Sequence, residues 1–159
     1  MKRDSWEQAY DDWGLAIGKF MLWFASIEES TFVLLKELPT ENIFEATISL
    51  QFGQRVDLLL ALASDSNKVM PSTKNALIEK LKLAKNISEK RNLVAHNPLS
   101  VDIYKHKSEE EYKIVERIRS LKNQKKVIEI EELRELGVNT KKLALELNDL
   151  VNEVLVVNA

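Results

Sequence analysis

DSWEQAYDDWGLAIGKFMLWFASIEESTFVLLKEL, residues 4–38, carries Trp6, Tyr10, Trp13, Ile17, Phe20, Phe24, Ile27, Thr31 and Leu34 at spacings of three and four. That period matches an α-helix with one buried stripe and predicts a single long helix ending before Pro39. Eight of the eleven aromatic residues lie at or before Phe44, so this helix is expected to carry much of the core. Trp6, Trp13 and Trp23 read as core side chains rather than base-stacking platforms. Gly14 and Gly18 sit four apart on one face, either allowing a close crossing or dimer contact or merely tolerated there.

Pro39, Pro71 and Pro98 mark helix boundaries, because proline removes a backbone donor and biases its predecessor toward extended geometry. After Pro39, Thr40 is the expected cap of a second helix with Glu41 in its first turn. Ile43, Phe44, Ile48, Phe52, Val56, Leu59, Leu60 and Leu62 carry the period to about Ala63, with Gly53 as a kink. Ser64–Asn67 reads as a loop. Pro71 and Ser72 open a third helix with Leu77, Leu81, Ala84 and Ile87 on one face, then Val94 and Ala95, closed by Asn97–Pro98. From Leu99 the period changes. LSVDIY, YKIVERIRS and KKVIEI alternate apolar and polar residues and predict short strands or a β-hairpin in an insert over about 99–130, with residues 108–111 as a polar turn between them. Glu131–Leu136 reads as a short helical turn closed by Gly137. Asn139 or Thr140 then caps a last helix with Leu143, Leu147, Leu150, Val151 and Val154 inward. The expected architecture is all-α: an up-and-down four-helix bundle with a small extended insert before the last helix, in one domain spanning residues 1–159.

Composition narrows the chemistry. The 159 residues hold 23 Lys and Arg against 25 Asp and Glu, a formal charge of −2, which excludes a uniformly basic nucleic-acid coat but not a local basic patch. There is no cysteine, so thiolate zinc sites and cysteine nucleophiles are excluded. No apolar run approaches the roughly 20 residues of a membrane span, and the chain reads as soluble and cytoplasmic with no membrane partner. No glycine-rich loop precedes a helix, and two histidines without a carboxylate cluster do not make a metal site. No cofactor and no metal are expected.

The most informative stretch is KRNLVAHNP, residues 90–98. Arg91 is followed by the polar Asn92, and four residues separate Arg91 from His96. This pattern resembles the signature of the HEPN superfamily (higher eukaryotes and prokaryotes nucleotide-binding domains), in which an Arg, often followed by a polar residue, precedes a His by four to six intervening positions. The expected helical architecture, with the motif ending the third long helix, is also similar to that family. The resemblance implies a metal-independent endoribonuclease, in some members a toxin paired with a nucleotidyltransferase antitoxin, and in others an inactive binding module. It also implies a homodimer that brings two motifs together.

Residue chemistry agrees with that expectation. Cleavage of RNA through its own 2′-hydroxyl needs a group that moves a proton near neutral pH and a cation for the charge on the phosphorane. His96 suits the first role, and Arg91, whose guanidinium pairs bidentately with phosphate, suits the second. On an ideal helix Arg91 and His96 lie about 140° apart, while Asn92 and His96 lie about 40° apart. Asn92 is therefore the natural positioner of the imidazole or the phosphate. Arg91 must wrap, or the helix end must deform, or the groups must meet across a subunit interface. One imidazole does not easily act as both base and acid, which favours a dimer.

Charge is unevenly spread. Seven basic residues against Glu79 and Glu89 lie between Lys68 and Asn97, and five basic residues with no acidic one lie between Arg117 and Lys126. Together they are candidates to bracket an RNA path, with Lys85 and Lys90 as RNA-binding residues, against the simpler reading of lysine-bearing surface helices. Glu28 borders the apolar stripe near Phe24 and reads as an ordinary solvated carboxylate, with a half-buried pairing to Arg91 as the alternative. His106, between two lysines, reads as an exposed bystander. The competing reading is a non-catalytic HEPN-like module binding a nucleotide, RNA or a partner protein. Its mark is an Arg91 buried against the bundle with His96 closed off from solvent. A third reading is a purely structural helical subunit.

Overall fold

The long aromatic stretch forms one helix, α1 (Arg3–Glu37), in a computed structural model that describes residues 3–67, 69–105 and 112–158. Lys68, His106 and the turn expected at residues 108–111 lie outside the described residues, as does the side chain of Trp6. The remaining elements are α2 (Phe44–Thr47), α3 (Phe52–Asp65), α4 (Pro71–His96), β1 (Leu99–Tyr104), β2 (Lys113–Arg119), β3 (Val127–Ile128) and α5 (Ile130–Asn158). The described residues are thus mostly helical, with five helices and a three-stranded antiparallel sheet, order β1-β2-β3, before the last helix.

Two segments depart from the expected boundaries. The second helix is split: Ile48 is 46% exposed, and α3 begins only after Gln51, whose extended backbone and reciprocal capping bonds with Gln54 restart the helix. Thr40 does not cap α2; the side chain of Asn42 accepts the Phe44 amide instead. At the other end, α5 runs unbroken through Gly137 and Thr140. Gly137 has no left-handed backbone and closes nothing. It is buried where α5 approaches α1, so that a Cβ placed there would lie 3.8 Å from the Phe20 backbone nitrogen. Thr140 is buried within the helix and donates its hydroxyl to the Leu136 carbonyl at 2.7 Å. A Cβ on Gly14 or Gly18 would meet open space, so neither serves a close crossing within the chain.

Cross-helix pairs fix the helix directions. Asp12 faces Arg134, Lys141 lies over the Trp23 ring, and Ser30 donates to Asn148. Numbers rise together along both helices, so α1 and α5 are parallel. Thr73 with Glu153, Lys80 with Glu146 and Lys90 with Glu132 make α4 antiparallel to α5. Lys85 with Asp57 and Lys74 with the Ser64 carbonyl make it antiparallel to α3 as well. The strictly alternating up-and-down order is therefore not adopted: α1, α3 and α5 share one direction and α4 opposes them. The segment 38–51 permits this. It has a reach of about 45 Å, ample to return along the roughly 20 Å of helix from Glu37 back to Phe24, against which Phe52 packs.

Two apolar clusters fill the interior. One joins Phe24, Ile27, Leu34 and Leu35 of α1 to Val56 and Leu59 of α3, Leu77 and Leu81 of α4 and Leu147 of α5. The other joins Trp13, Ala16 and Phe20 to Leu93 and Val94 at the end of α4, Leu133, and Ile118 and Ile128 of the sheet. Trp13 is 1% exposed, and its indole N–H donates to Glu116 of β2 at 2.9 Å. The hairpin register, with Leu99 opposite Ile118 and Ile118 opposite Ile128, turns these side chains together onto α1. The sheet therefore covers the apolar surface that α4 exposes as it ends. Tyr10 is exposed rather than inward, and Trp23 is half-buried against the first cluster.

Gly137→Ala tests the α1–α5 approach. The added methyl makes an ordinary contact with Phe20 and removes a glycine from a helix interior, so stability should rise by up to about 1 kcal/mol. Gly137→Leu should lower it by about 1–3 kcal/mol by forcing the helices apart. Urea denaturation followed by circular dichroism measures both.

Candidate functional site

The motif lies where the two apolar clusters meet. Leu77, Leu81, Ala84 and Ser88 form the buried stripe of α4, and Arg91, three residues beyond Ser88, continues it. Its guanidinium consequently points into the bundle. Arg91 Nη2 donates to Glu28 Oε1 at 2.6 Å, Nη1 donates to Asn92 Oδ1 at 3.1 Å, and the group lies 4.9 Å from the centre of the Phe24 ring. Glu28 is thus paired rather than freely solvated.

A second arginine, not anticipated from the sequence, shares that carboxylate. Arg55 of α3 is 4% exposed, stacks 3.7 Å from the Phe32 ring centre, and places Nη2 3.9 Å from Glu28 Oε1. Burial pushes its guanidinium below the ordinary value; Glu28 opposes that shift and Arg91 adds to it. Two guanidiniums thus face one carboxylate, and the Nε atoms of both arginines are buried without a protein partner. The available signal was an Arg three residues after Phe52 and four before Leu59, on the apolar stripe of α3, facing a Glu that borders the stripe of α1.

His96 stands in a different environment. It is exposed in the last turn of α4, on a side of the helix away from Arg91, and makes no hydrogen bond to a described residue. Asn92 is exposed on its side of the helix and accepts from Arg91. The structure therefore brings Arg91 and Asn92 together and leaves His96 apart from Arg91, in keeping with the angular separation of an ideal helix. Asn97, next to His96, was expected only to end the helix, yet it does more. Its Nδ2 donates to the Leu93 carbonyl at 2.8 Å, and its Oδ1 accepts the Leu121 amide at 2.9 Å. One side chain thus caps α4 and ties its end to the sheet.

The candidate RNA-binding lysines are engaged. Lys85 pairs with Asp57 of α3 at 2.5 Å, and Lys90 with Glu132 of α5 at 2.6 Å. Lys80 pairs with Glu146 at 3.0 Å. The positive charge of α4 is thus largely matched by carboxylates of its neighbours. In the second basic segment, Arg117 and Arg119 both donate to Asp102 Oδ2, and Arg117 also donates to the Tyr104 hydroxyl. The hydrogen bond from Arg117, reinforced by the charge of both arginines, holds the Asp102 carboxyl below its ordinary value.

Compared with protein-family models, curated proteins and solved structures, the chain matches none. The concave surface between α1 and α5, lined by Asp12, Leu15, Trp23, Arg134, Val138 and Lys141, does not include the motif. No group of three or more His, Asp or Glu among the described residues is placed to hold a metal ion. No helix among them is long and apolar enough to cross a membrane.

Two measurements check the charge clusters. Glu28→Ala leaves two guanidiniums facing each other and should lower stability by about 2 kcal/mol in urea denaturation, less than a fully sealed pair because Glu28 retains access to water. Glu28→Gln, which keeps an acceptor for Arg91, should lose less. For Asp102 the folded pKa is depressed, so its stabilisation is complete above the unfolded value near about 3.9 and disappears as pH falls through the lower folded value. The stability difference between wild type and Asp102→Asn should accordingly shrink in acid and stay constant from pH 5 upward, as read by urea denaturation across that pH range.

Proposed function

We propose that the chain is a metal-independent endoribonuclease of the HEPN type, a cytoplasmic toxin or defence component that acts as a homodimer. The observation that carries this reading is the state of His96: a solvent-exposed imidazole with no hydrogen bond to a described residue, at the end of a helix whose preceding turn holds an anchored arginine. A histidine kept for structure alone is normally hydrogen-bonded or packed. In this proposal the four long helices constitute a HEPN-like bundle in a single domain, and the sheet braces the motif-bearing end.

The reaction would proceed by transesterification. The ribose 2′-oxygen attacks the adjacent phosphorus, and its proton passes to one His96 imidazole. The P–O5′ bond breaks as the leaving oxygen takes a proton from the partner's imidazole, yielding a 2′,3′-cyclic phosphate and a 5′-hydroxyl. Arg91 would stabilise the phosphorane charge through the Nη hydrogens that Glu28 and Asn92 leave unused, and Asn92 would orient Arg91 or the phosphate. Two guanidiniums on one carboxylate favour this role, because the cluster keeps a net positive charge. A nucleotidyltransferase-type antitoxin is the partner this reading proposes.

A specific observation also supports the runner-up, a catalytically inactive module that binds a nucleotide, RNA or a partner protein. Arg91 is four-fifths buried and already engaged, as that reading requires. Its other mark, a closed-off His96, is missing.

Purified protein incubated with RNA and a chelator discriminates between the two. Wild type should cleave RNA but not DNA of the same sequence, leaving cyclic phosphate ends. His96→Ala should lose at least about 100-fold in rate while unfolding within about 0.5 kcal/mol of wild type, since the side chain holds nothing in place. Full activity in purified His96→Ala would remove the catalytic assignment.

A further inference from the structure

The turn between β2 and β3, residues 120–126, is built like a fixed platform rather than a loose connection. The Ser120 amide donates to the Lys126 carbonyl at 3.0 Å, and the Lys126 amide donates to the Asn123 carbonyl at 2.8 Å. The Asn123 side chain accepts the Lys125 amide at 3.1 Å, while the Asn123 amide donates to Ser120 Oγ at 3.1 Å. Asn97 then fastens this turn to the last turn of α4 through Leu121 and Leu93. The fastening residue is the immediate neighbour of His96.

Lys122, Lys125 and Lys126 are exposed on this platform, and none forms an ion pair with a described carboxylate. In this they differ from Lys80, Lys85 and Lys90, which are matched by Glu146, Asp57 and Glu132. Next to the turn, Arg119 and Arg117 share the single Asp102 carboxylate, so positive charge remains in excess there too. The basic excess of α4, six basic residues against Glu79 and Glu89, is thus largely matched in three dimensions, while that of the 117–126 segment survives.

We propose that the 120–126 turn is the phosphate-binding platform that holds a single-stranded RNA against the His96 end of α4, with Lys122, Lys125 and Lys126 as its contacts. The proposal rests on the ribonuclease reading and assigns that activity its substrate-binding surface, away from Lys85 and Lys90. A polyanion fits the surface better than a protein does. Protein interfaces are built around an apolar core, and this turn offers one large apolar side chain, Leu121, 74% exposed. Phosphates need only spaced cations whose counterions can be released, and Leu121 can lie beneath one base or ribose. Because Asn97 joins the turn to the helix end rigidly, a strand bound by the lysines is presented to His96 without a search over loop conformations.

The test is fluorescence anisotropy with a fluorescein-labelled, mixed-sequence single-stranded RNA, titrated at several salt concentrations. His96→Ala serves as the background, so that cleavage does not interfere. Adding Lys122→Gln, Lys125→Gln and Lys126→Gln together should weaken binding by about tenfold or more at low salt. It should also make the slope of log K against log salt shallower by about 2, the amount expected for three lost phosphate contacts on a single strand. Asn97→Ala, with all lysines intact, should weaken binding by a smaller factor. Unchanged affinity and slope in the triple variant, with RNA still bound, overturn the platform and leave the ribonuclease reading standing. If the triple variant loses affinity but the wild type cleaves nothing, the platform stands and the catalytic reading falls. Absence of RNA binding by the background protein at low salt, or binding of anionic phosphatidylserine vesicles in its place, overturns the platform.

Discussion

One carboxylate, that of Glu28, ties three helices together at the point where the two apolar clusters meet. It faces Arg91 of α4 and Arg55 of α3 from its own position on α1, with Phe24 and Phe32 packed against the two guanidiniums. Charges this far inside are tolerated because each has an opposite partner, and because guanidinium is weakly hydrated and stacks on aromatic faces. The arrangement constrains α4 in rotation: with Arg91 held inward, His96 must emerge on another side. The exposure of the imidazole is therefore a consequence of the buried ion cluster.

The sheet is the second constraint. An α-helix that ends abruptly leaves carbonyls without partners and apolar side chains without cover. Here Asn97 takes up the Leu93 carbonyl, and Ile118 and Ile128 cover Leu93 and Val94 from the sheet. The insert thus finishes the bundle at the end that carries the motif, and Trp13, bonded to Glu116, anchors it to α1. The same contacts that complete the core also place a lysine-bearing turn beside the helix end.

Much of this was legible in the sequence, and the gaps have physical causes. The aromatic period of residues 4–38 and the prolines at 39, 71 and 98 mark α1 and α4 closely, because a one-face period and a missing donor are local signals. The hairpin segments were legible from their two-residue alternation. What failed was punctuation by Gly137 and Thr140: a glycine ends a helix only when it takes a left-handed backbone, and here it lies inside α5, buried where α1 passes. The split at Gln51 was hidden because the apolar spacing continues through it, and the helix directions were hidden because the 38–51 segment is long enough to permit either. At the site, the inward course of Arg91 follows from its place three residues after Ser88, a reading that needed the buried stripe to be drawn through Ser88 rather than Ile87. The cancellation of the α4 lysines depended on carboxylates from α3 and α5, which no one-dimensional count of charge reveals.

The parallel run of α1 and α5 has a consequence for how anything joined to this chain is arranged. α5 starts beside the motif, with Glu132 paired to Lys90, and its 29 residues rise about 43 Å away from it. The first third of α1 lies at that same end, where Trp13 meets the sheet. The molecule is therefore polar along its axis: a fusion at the head of α1 would sit at the end that carries the motif and the sheet, while cargo on the tail of α5 would be carried at arm's length.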